Sequence, residues 1–213
     1  MDRFIQVIDV CKTLEGQEIL KNINLEFDSS KIHGIIGRNG SGKTVLIKCI
    51  CGFMPVSSGS IFVDEKRIGY DTEFIENTGF IIENPGFLNR YSGLKNLKYL
   101  ASIRKIADVD RLRECMNMVG LDPDSKKTVG KYSLGMRQRL GIAQALMEYP
   151  DIIILDEPMN GLDNSGVMEI RKILLQLKAE GKLIIIISHN REDINSLCDK
   201  VYEMDKGEIK QVL

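Results

Sequence analysis

Apolar positions along this chain change their period several times. Ile5 and Val7, then Leu20, Ile23, Leu25 and Phe27, fall among polar residues in the two-residue rhythm of half-buried strands. Ile32, His33, Gly34, Ile35 and Ile36 form a short apolar run that ends at Gly37, which predicts a buried strand feeding a glycine loop. From Thr44 to Cys51 the chain is apolar, punctuated by Lys48 and followed by Gly52, the pattern of a helix with a glycine stop. Ile61, Phe62 and Val63 with Ile68 predict a short strand pair, and Phe80, Ile81 and Ile82 a further strand. From about residue 84 to 147 the spacing turns helical. Val109, Leu112, Met116 and Val119 form one stripe closed by Gly120; Met136, Leu140, Ala143 and Met147 form another. Residues 151–156 read as a buried strand, Val167, Ile170, Leu174 and Leu177 as a helix ending at Gly181, residues 183–187 as a strand, and 193–198 as a short helix.

Apolar strands alternating with helices predict an α/β fold whose sheet is largely parallel and covered on both faces. A length of 213 residues predicts one domain, 1–213, with the helical block at about 84–149 inserted as a subdomain. Charge changes this picture little overall: 29 basic against 30 acidic residues leave −1, which argues against a general nucleic-acid binder. It is unevenly spread, however. Residues 84–149 carry 12 Lys and Arg against 6 Asp and Glu, leaving the rest at −7. A solvated helical face is the ordinary reading of such a block; a surface for nucleotide, lipid headgroups or an acidic partner is the sharper one. Five cysteines without regular spacing and two histidines predict neither a disulfide framework nor a Cys/His metal site, but a reduced cytoplasmic protein. No stretch approaches the run of about 18–20 apolar residues that crosses a bilayer, and the N-terminus lacks a signal peptide's pattern. Any work at a membrane would then go through another subunit.

Gly37, Arg38, Asn39, Gly40, Ser41, Gly42, Lys43 and Thr44 match G-x-x-x-x-G-K-[ST] in full, between a predicted strand and a predicted helix. Glycines let successive backbone N–H groups point at phosphates, and the helix N-terminus adds positive potential. Lys43 is suited to neutralise β- and γ-phosphates, and the Thr44 hydroxyl to ligate Mg²⁺. Asp156 and Glu157 end the strand at 152–155, where open α/β sheets place ligands. Asp156 is suited to hold Mg²⁺ and Glu157 to orient or deprotonate water. A charged pair opening an ordinary loop is the alternative, which the phosphate loop disfavours.

These motifs, together with Ser133-Leu134-Gly135-Met136-Arg137-Gln138-Arg139, Leu155-Asp156-Glu157-Pro158, Gly161-Leu162-Asp163 and Ser188-His189, occur in the order of ABC transporter ATPases. The chain resembles that family over essentially its whole length. The resemblance implies a P-loop NTPase fold with a mainly parallel core sheet, an N-terminal antiparallel β subdomain and the inserted α-helical subdomain. It implies ATP and Mg²⁺ as ligands, hydrolysis by Glu157, His189 and Lys43, and metal binding by Thr44, Asp156 and Glu83. Ser133, Gly135 and Met136 resemble the signature motif, which binds the γ-phosphate of ATP held by a second ATPase subunit. Asp163 resembles the residue at the dimer seam, and His189 the switch histidine. The implied partners are that second subunit, identical or not, and a membrane-spanning permease, with the chain peripheral on the inner face of the cell membrane. Residues 84–88 would lie near the coupling surface.

Three departures stand out. Glu83 occupies the usual place of a glutamine. The signature reads Tyr-Ser-Leu-Gly-Met rather than Leu-Ser-Gly-Gly-Gln. Leu14 falls where many members stack an aromatic ring on adenine. The first two resemble the branch of bacitracin-type and lantibiotic resistance exporters. Two other readings are a soluble ABC-type ATPase of repair or translation, and a nucleotide-gated switch. One set of motifs and no long heptad run weigh against the former; Glu157 and His189 weigh against the latter. An Asn-Lys-x-Asp motif for guanine is absent.

Overall fold

The alternating N-terminal segment folds as β1 (Phe4–Leu14) and β2 (Gln17–Asp28), an antiparallel hairpin. Its turn is Glu15-Gly16, both at positive φ (49° and 80°), which matches the twist of the strands. The structure is a computed structural model and describes residues 3–83 and 85–213. β1 pairs on its other edge with β4 (Ser58–Val63), and β4 with β5 (Lys66–Arg67), all antiparallel, in the order β2-β1-β4-β5. The buried face of β1 runs Ile5, Val7, Val10 rather than in steps of two throughout. A register shift between Val7 and Val10 carries the extra residue, with Asp9 at φ 50° and its N–H donating to Asn24 Oδ1 at 3.0 Å. Ile68, expected in the strand pair, lies just beyond β5.

These strands belong to one of two compact units, Met1–Glu76 with Lys178–Leu213. In the same unit β3 (Ile32–Ile36) pairs in parallel with β8 (Leu183–Ile187) and β9 (Lys200–Asp205). Every residue of β3 and β8 is buried, which explains the unbroken apolar run of β8 and the run of β3 that only His33 interrupts. α1 (Lys43–Ile50) follows the glycine loop. α6 (Arg191–Leu197), which starts two residues earlier than the spacing predicts, packs on β3 so closely that a Cβ on Gly34 would stand 2.9 Å from Ile194 Cγ2 and Cys198 Sγ. β9 and β10 (Glu208–Gln211), which the pattern does not reveal, form an antiparallel hairpin through Lys206 and Gly207, both at positive φ.

The second unit, Asn77–Leu177, holds β6 (Thr78–Ile81) paired in parallel with β7 (Ile152–Asp156), with Ile81 opposite Leu155. Its helices are α2 (Gly93–Arg104), α3 (Val109–Met118) and α4 (Leu134–Leu146), and α5 (Asn164–Ala179) begins in it. Ser92, Asp108 and Ser133 cap α2, α3 and α4 by accepting from Lys95, Arg111 and Met136 N–H groups. α4 packs on β6, β7 and α3 and is buried on more than one face. Of the α3 stripe, Leu112, Met116 and Val119 are buried, but Val109, first after the cap, is exposed. Asn84, where the expected helical block begins, lies outside the described residues.

Burial also sets the chemistry of two residue types. His33 is fully buried, its ring 5.1 Å from Phe27 (edge-on) and 6.4 Å from Tyr202 (stacked). Its Nε2 lies 3.1 Å from Asp28 N and 3.0 Å from Asp28 O, and its Nδ1 has no partner. Burial pushes its pKa down, with the Asp28 carbonyl contact opposing. Burial also pushes the thiols of Cys49 and Cys115 up to about 11, and those of Cys51 and Cys198 up to about 12. Cys11 is half-buried. Among the described residues no helix is long and apolar enough to cross a membrane.

Candidate functional site

The loop from Gly37 to Lys43 joins β3 to α1. A Cβ on Gly37 would stand 2.3 Å from the Met204 carbonyl, so no side chain fits there. Gly42 is the N-cap of α1 at φ 110° and offers no side-chain cap, and the first turn has no acidic residue. No side chain therefore caps the positive end of α1, which suits an anion. Ser41 Oγ is buried without a hydrogen-bond partner. Lys43 is buried, and its Nζ donates to the Gly37 and Arg38 carbonyls at 2.7 and 3.0 Å. A cation, a buried hydroxyl and uncapped helix N–H groups in one turn fit a polyphosphate. Arg38, Asn39 and Gly40 are exposed and Thr44 is half-buried. His189 follows β8 and is exposed, and Ser188 beneath it accepts from Asn190 N at 3.1 Å. Gly37, Arg38 and His189 line one cavity of about 820 Å³.

The carboxylates belong to the second unit. Asp156 is the last residue of β7, and Glu157 follows at φ 50°. Ile81, the last residue of β6, pairs with Leu155, one residue before β7 ends, and Glu83, two residues past Ile81 as Glu157 is two past Leu155, also has positive φ (60°). Three carboxylates thus leave the same end of two paired strands. The carbonyl of Glu157 accepts from Asn160 N and from Gln138 Nε2, each at 3.1 Å. Gln138 was not singled out by its sequence; the available signal is a polar residue among Gly141, Ile142 and Ala145 on a buried helix face.

Ser133 is exposed at the start of α4, its hydroxyl capping Met136 N at 3.2 Å. Gly135 abuts the next motif: a Cβ there would stand 2.6 Å from the Gly161 carbonyl. Met136 is half-buried, with its Sδ 3.6 Å from Lys127 Nζ. Asp163 accepts from Gly166 N at 2.9 Å, and that bond, with one from Ser165, holds its carboxyl below the usual range. Arg139 Nη1 donates to the Val119 carbonyl at 2.5 Å and to Glu169 at 2.7 Å, joining α4 to the end of α3 and to α5. Signature, 160–163 turn and Glu157 are thus linked through α4.

A parallel-stranded α/β core with this loop between strand and helix defines a P-loop nucleotide hydrolase. The ABC transporter family profile matches residues 20–160. The chain is 42% identical over 206 residues to the uncharacterized ABC transporter ATP-binding protein YybJ of Bacillus subtilis, covering 97% of this chain and 94% of that one. It is 37% identical over 211 residues to the bacitracin transport ATP-binding protein BcrA of Bacillus licheniformis, covering 98% and 69%. A dimeric post-hydrolysis structure of the ATP-binding cassette MJ0796, bound to ADP and Pi, superposes with a TM-score of 0.86 at 21% identity, covering 98% and 99%. The chain belongs to the ABC transporter family, as an ATP-binding, ATP-hydrolysing subunit of a transporter.

Proposed function

We propose that this subunit is a single ABC ATPase domain that pairs with a second ATPase subunit around two ATP molecules and drives a membrane-spanning permease on the inner face of the cell membrane. The observation that carries the nucleotide half is the uncapped start of α1 beside buried Lys43 and the unpartnered Ser41 hydroxyl. In this reading the amides of residues 37–44 and Lys43 bind the phosphates. Thr44 and Asp156, with Glu83, would hold Mg²⁺. Among the described residues no three His, Cys, Asp or Glu side chains converge, and Mg²⁺ shared with phosphates and water needs no such cluster. When bound, the ion offsets charge on the β- and γ-phosphate oxygens.

Glu157 takes a proton from water as its oxygen attacks the γ-phosphorus, while the bond to the β-bridging oxygen breaks and ADP leaves. His189 orients the water and γ-phosphate. Ser133, Gly135 and Met136 face the nucleotide of the second subunit, and Asp163 lies at the seam. Catalysis here is positioning and electrostatics rather than covalent chemistry. The similarity to BcrA supports export of an antimicrobial peptide as the work performed.

The test is phosphate release from wild type and Glu157→Gln with Mg²⁺ and ATP at rising protein concentration. Turnover that rises more than linearly and falls to a small residual rate in the variant, with ATP still bound, is the expected result. Normal turnover in Glu157→Gln would remove Glu157 from its role.

A further inference from the structure

We infer that Gln138 is a positioning residue for Glu157, fixing the backbone from which the hydrolytic carboxylate projects. The inference rests on the reading of Glu157 as the group that acts on water. Gln138 lies on the buried face of α4 and is 8% exposed. A buried primary amide must find partners, and a carbonyl only accepts, so the amide nitrogen is the end that meets Glu157 O at 3.1 Å. Glu157 is held at φ 50°, a region L-residues keep only where neighbours hold them there. The two donors on its carbonyl, Asn160 N and Gln138 Nε2, supply that hold. The bond from Asn160 closes a local turn within the same loop. The bond from Gln138 ties the loop to α4.

That helix is itself fixed. The backbone contact between Gly135 and Gly161 leaves no room for a Cβ, so the first turn of α4 cannot slide against the 160–163 turn. Ser133 lies five residues before Gln138, about 7.5 Å along a rigid helix. A shift of the signature turn on nucleotide therefore reaches the Glu157 peptide through Gln138 with little slack. The ordinary alternative is a core glutamine satisfied by a convenient carbonyl, with no part in turnover.

The full chain decides between them, using ATP itself as the probe, in Gln138→Met, Gln138→Glu, Glu157→Gln and the Gln138→Met/Glu157→Gln double variant. Readouts are kcat, KM for ATP, ATP-dependent dimer by size exclusion, and melting temperature. Gln138→Met keeps length and burial but has no donor. Its kcat is expected to fall about 10- to 100-fold, the scale of a small misplacement, with KM within about twofold and the dimer retained. Gln138→Glu keeps the shape and turns an acceptor on the carbonyl, so its kcat falls at least as far. Because Gln138 acts through Glu157, the double variant turns over no more slowly than Glu157→Gln alone. A Gln138→Met kcat within about twofold of wild type, or a double variant slower by the product of both single losses, overturns the inference. Wild-type turnover in Glu157→Gln would instead defeat the underlying reading of that carboxylate, a result separable from either.

Discussion

Lowering the pH from 7.5 to 5 should destabilise this fold through His33, before the carboxylates contribute. The imidazole is fully buried between Phe27 and Tyr202, and one ring nitrogen has no partner. Burial lowers its pKa below 6.5, the Asp28 carbonyl and carboxylate oppose, and Lys200 and Lys31 add to the lowering. The unfolded chain then binds a proton that the native state refuses. Stability contributed by the neutral ring is complete above about pH 6.5 and is lost as pH falls toward the native pKa, at up to about 1.4 kcal/mol per pH unit. Asp28 and Asp199 act lower on the scale. Burial raises each, but Lys31 and Lys200 on Asp28, and Lys178 and the Ile32 N–H on Asp199, bring them below 3.8. Their stabilisation is lost only as pH falls below about 4. The chain has no tryptophan, so urea unfolding is followed by far-UV circular dichroism at pH 7.5, 6.5 and 5.5. The wild-type midpoint should hold nearly level from pH 7.5 to 6.5 and drop by 5.5, whereas His33→Leu, which also removes the orphaned nitrogen, should change far less. Equal slopes in the two proteins would refute the argument.

Two other substitutions probe the site. Gly135→Ala gains up to about 1 kcal/mol of helix propensity but drives a Cβ against the Gly161 carbonyl, at an overpacking cost of about 1–3 kcal/mol. A lower melting temperature together with lower turnover is expected; an equal or higher one would mean the 160–163 turn gives way. Leu14→Tyr, at the half-buried end of β1, supplies the missing base-stacking ring. A stacked base contributes about 1–3 kcal/mol, so ATP should bind about fivefold more tightly or better in a nucleotide titration, and GTP similarly; unchanged affinity for both would exclude this hairpin from base recognition.

The loop at 37–44 was legible in the sequence because its residue types and flanking elements are dictated together: a buried strand, then glycines, then an uncapped helix. The strands at 32–36, 152–156 and 183–187 were legible because burial on both faces leaves a near-continuous apolar run. The β9–β10 hairpin was not. Its turn uses Lys206 in a left-handed conformation rather than Asn or Asp, so the usual hairpin signal is missing. α2 carries only four buried positions, one of them Asn96, whose amide bonds to Leu88 N–H and to the carbonyls of Leu88 and Ser92. A stripe interrupted by such an asparagine left α2 without bounds of its own inside the block read as helical. Gln138 escaped for a related reason. Its partner is a backbone carbonyl 19 residues away, and a main-chain group leaves no trace in a string of side chains.

The cysteines give the chain an unplanned convenience. Four of the five thiols are buried and held protonated at neutral pH, and so resist alkylation while the fold persists. Cys11 alone is partly open to solvent, on β1 three residues before Leu14. A thiol-reactive dye added to the native protein would therefore settle at one address without any engineering, beside the hairpin end where base contact is in question. The same arithmetic makes total thiol count a gauge of integrity: one reactive sulfur marks folded protein, and five mark its loss.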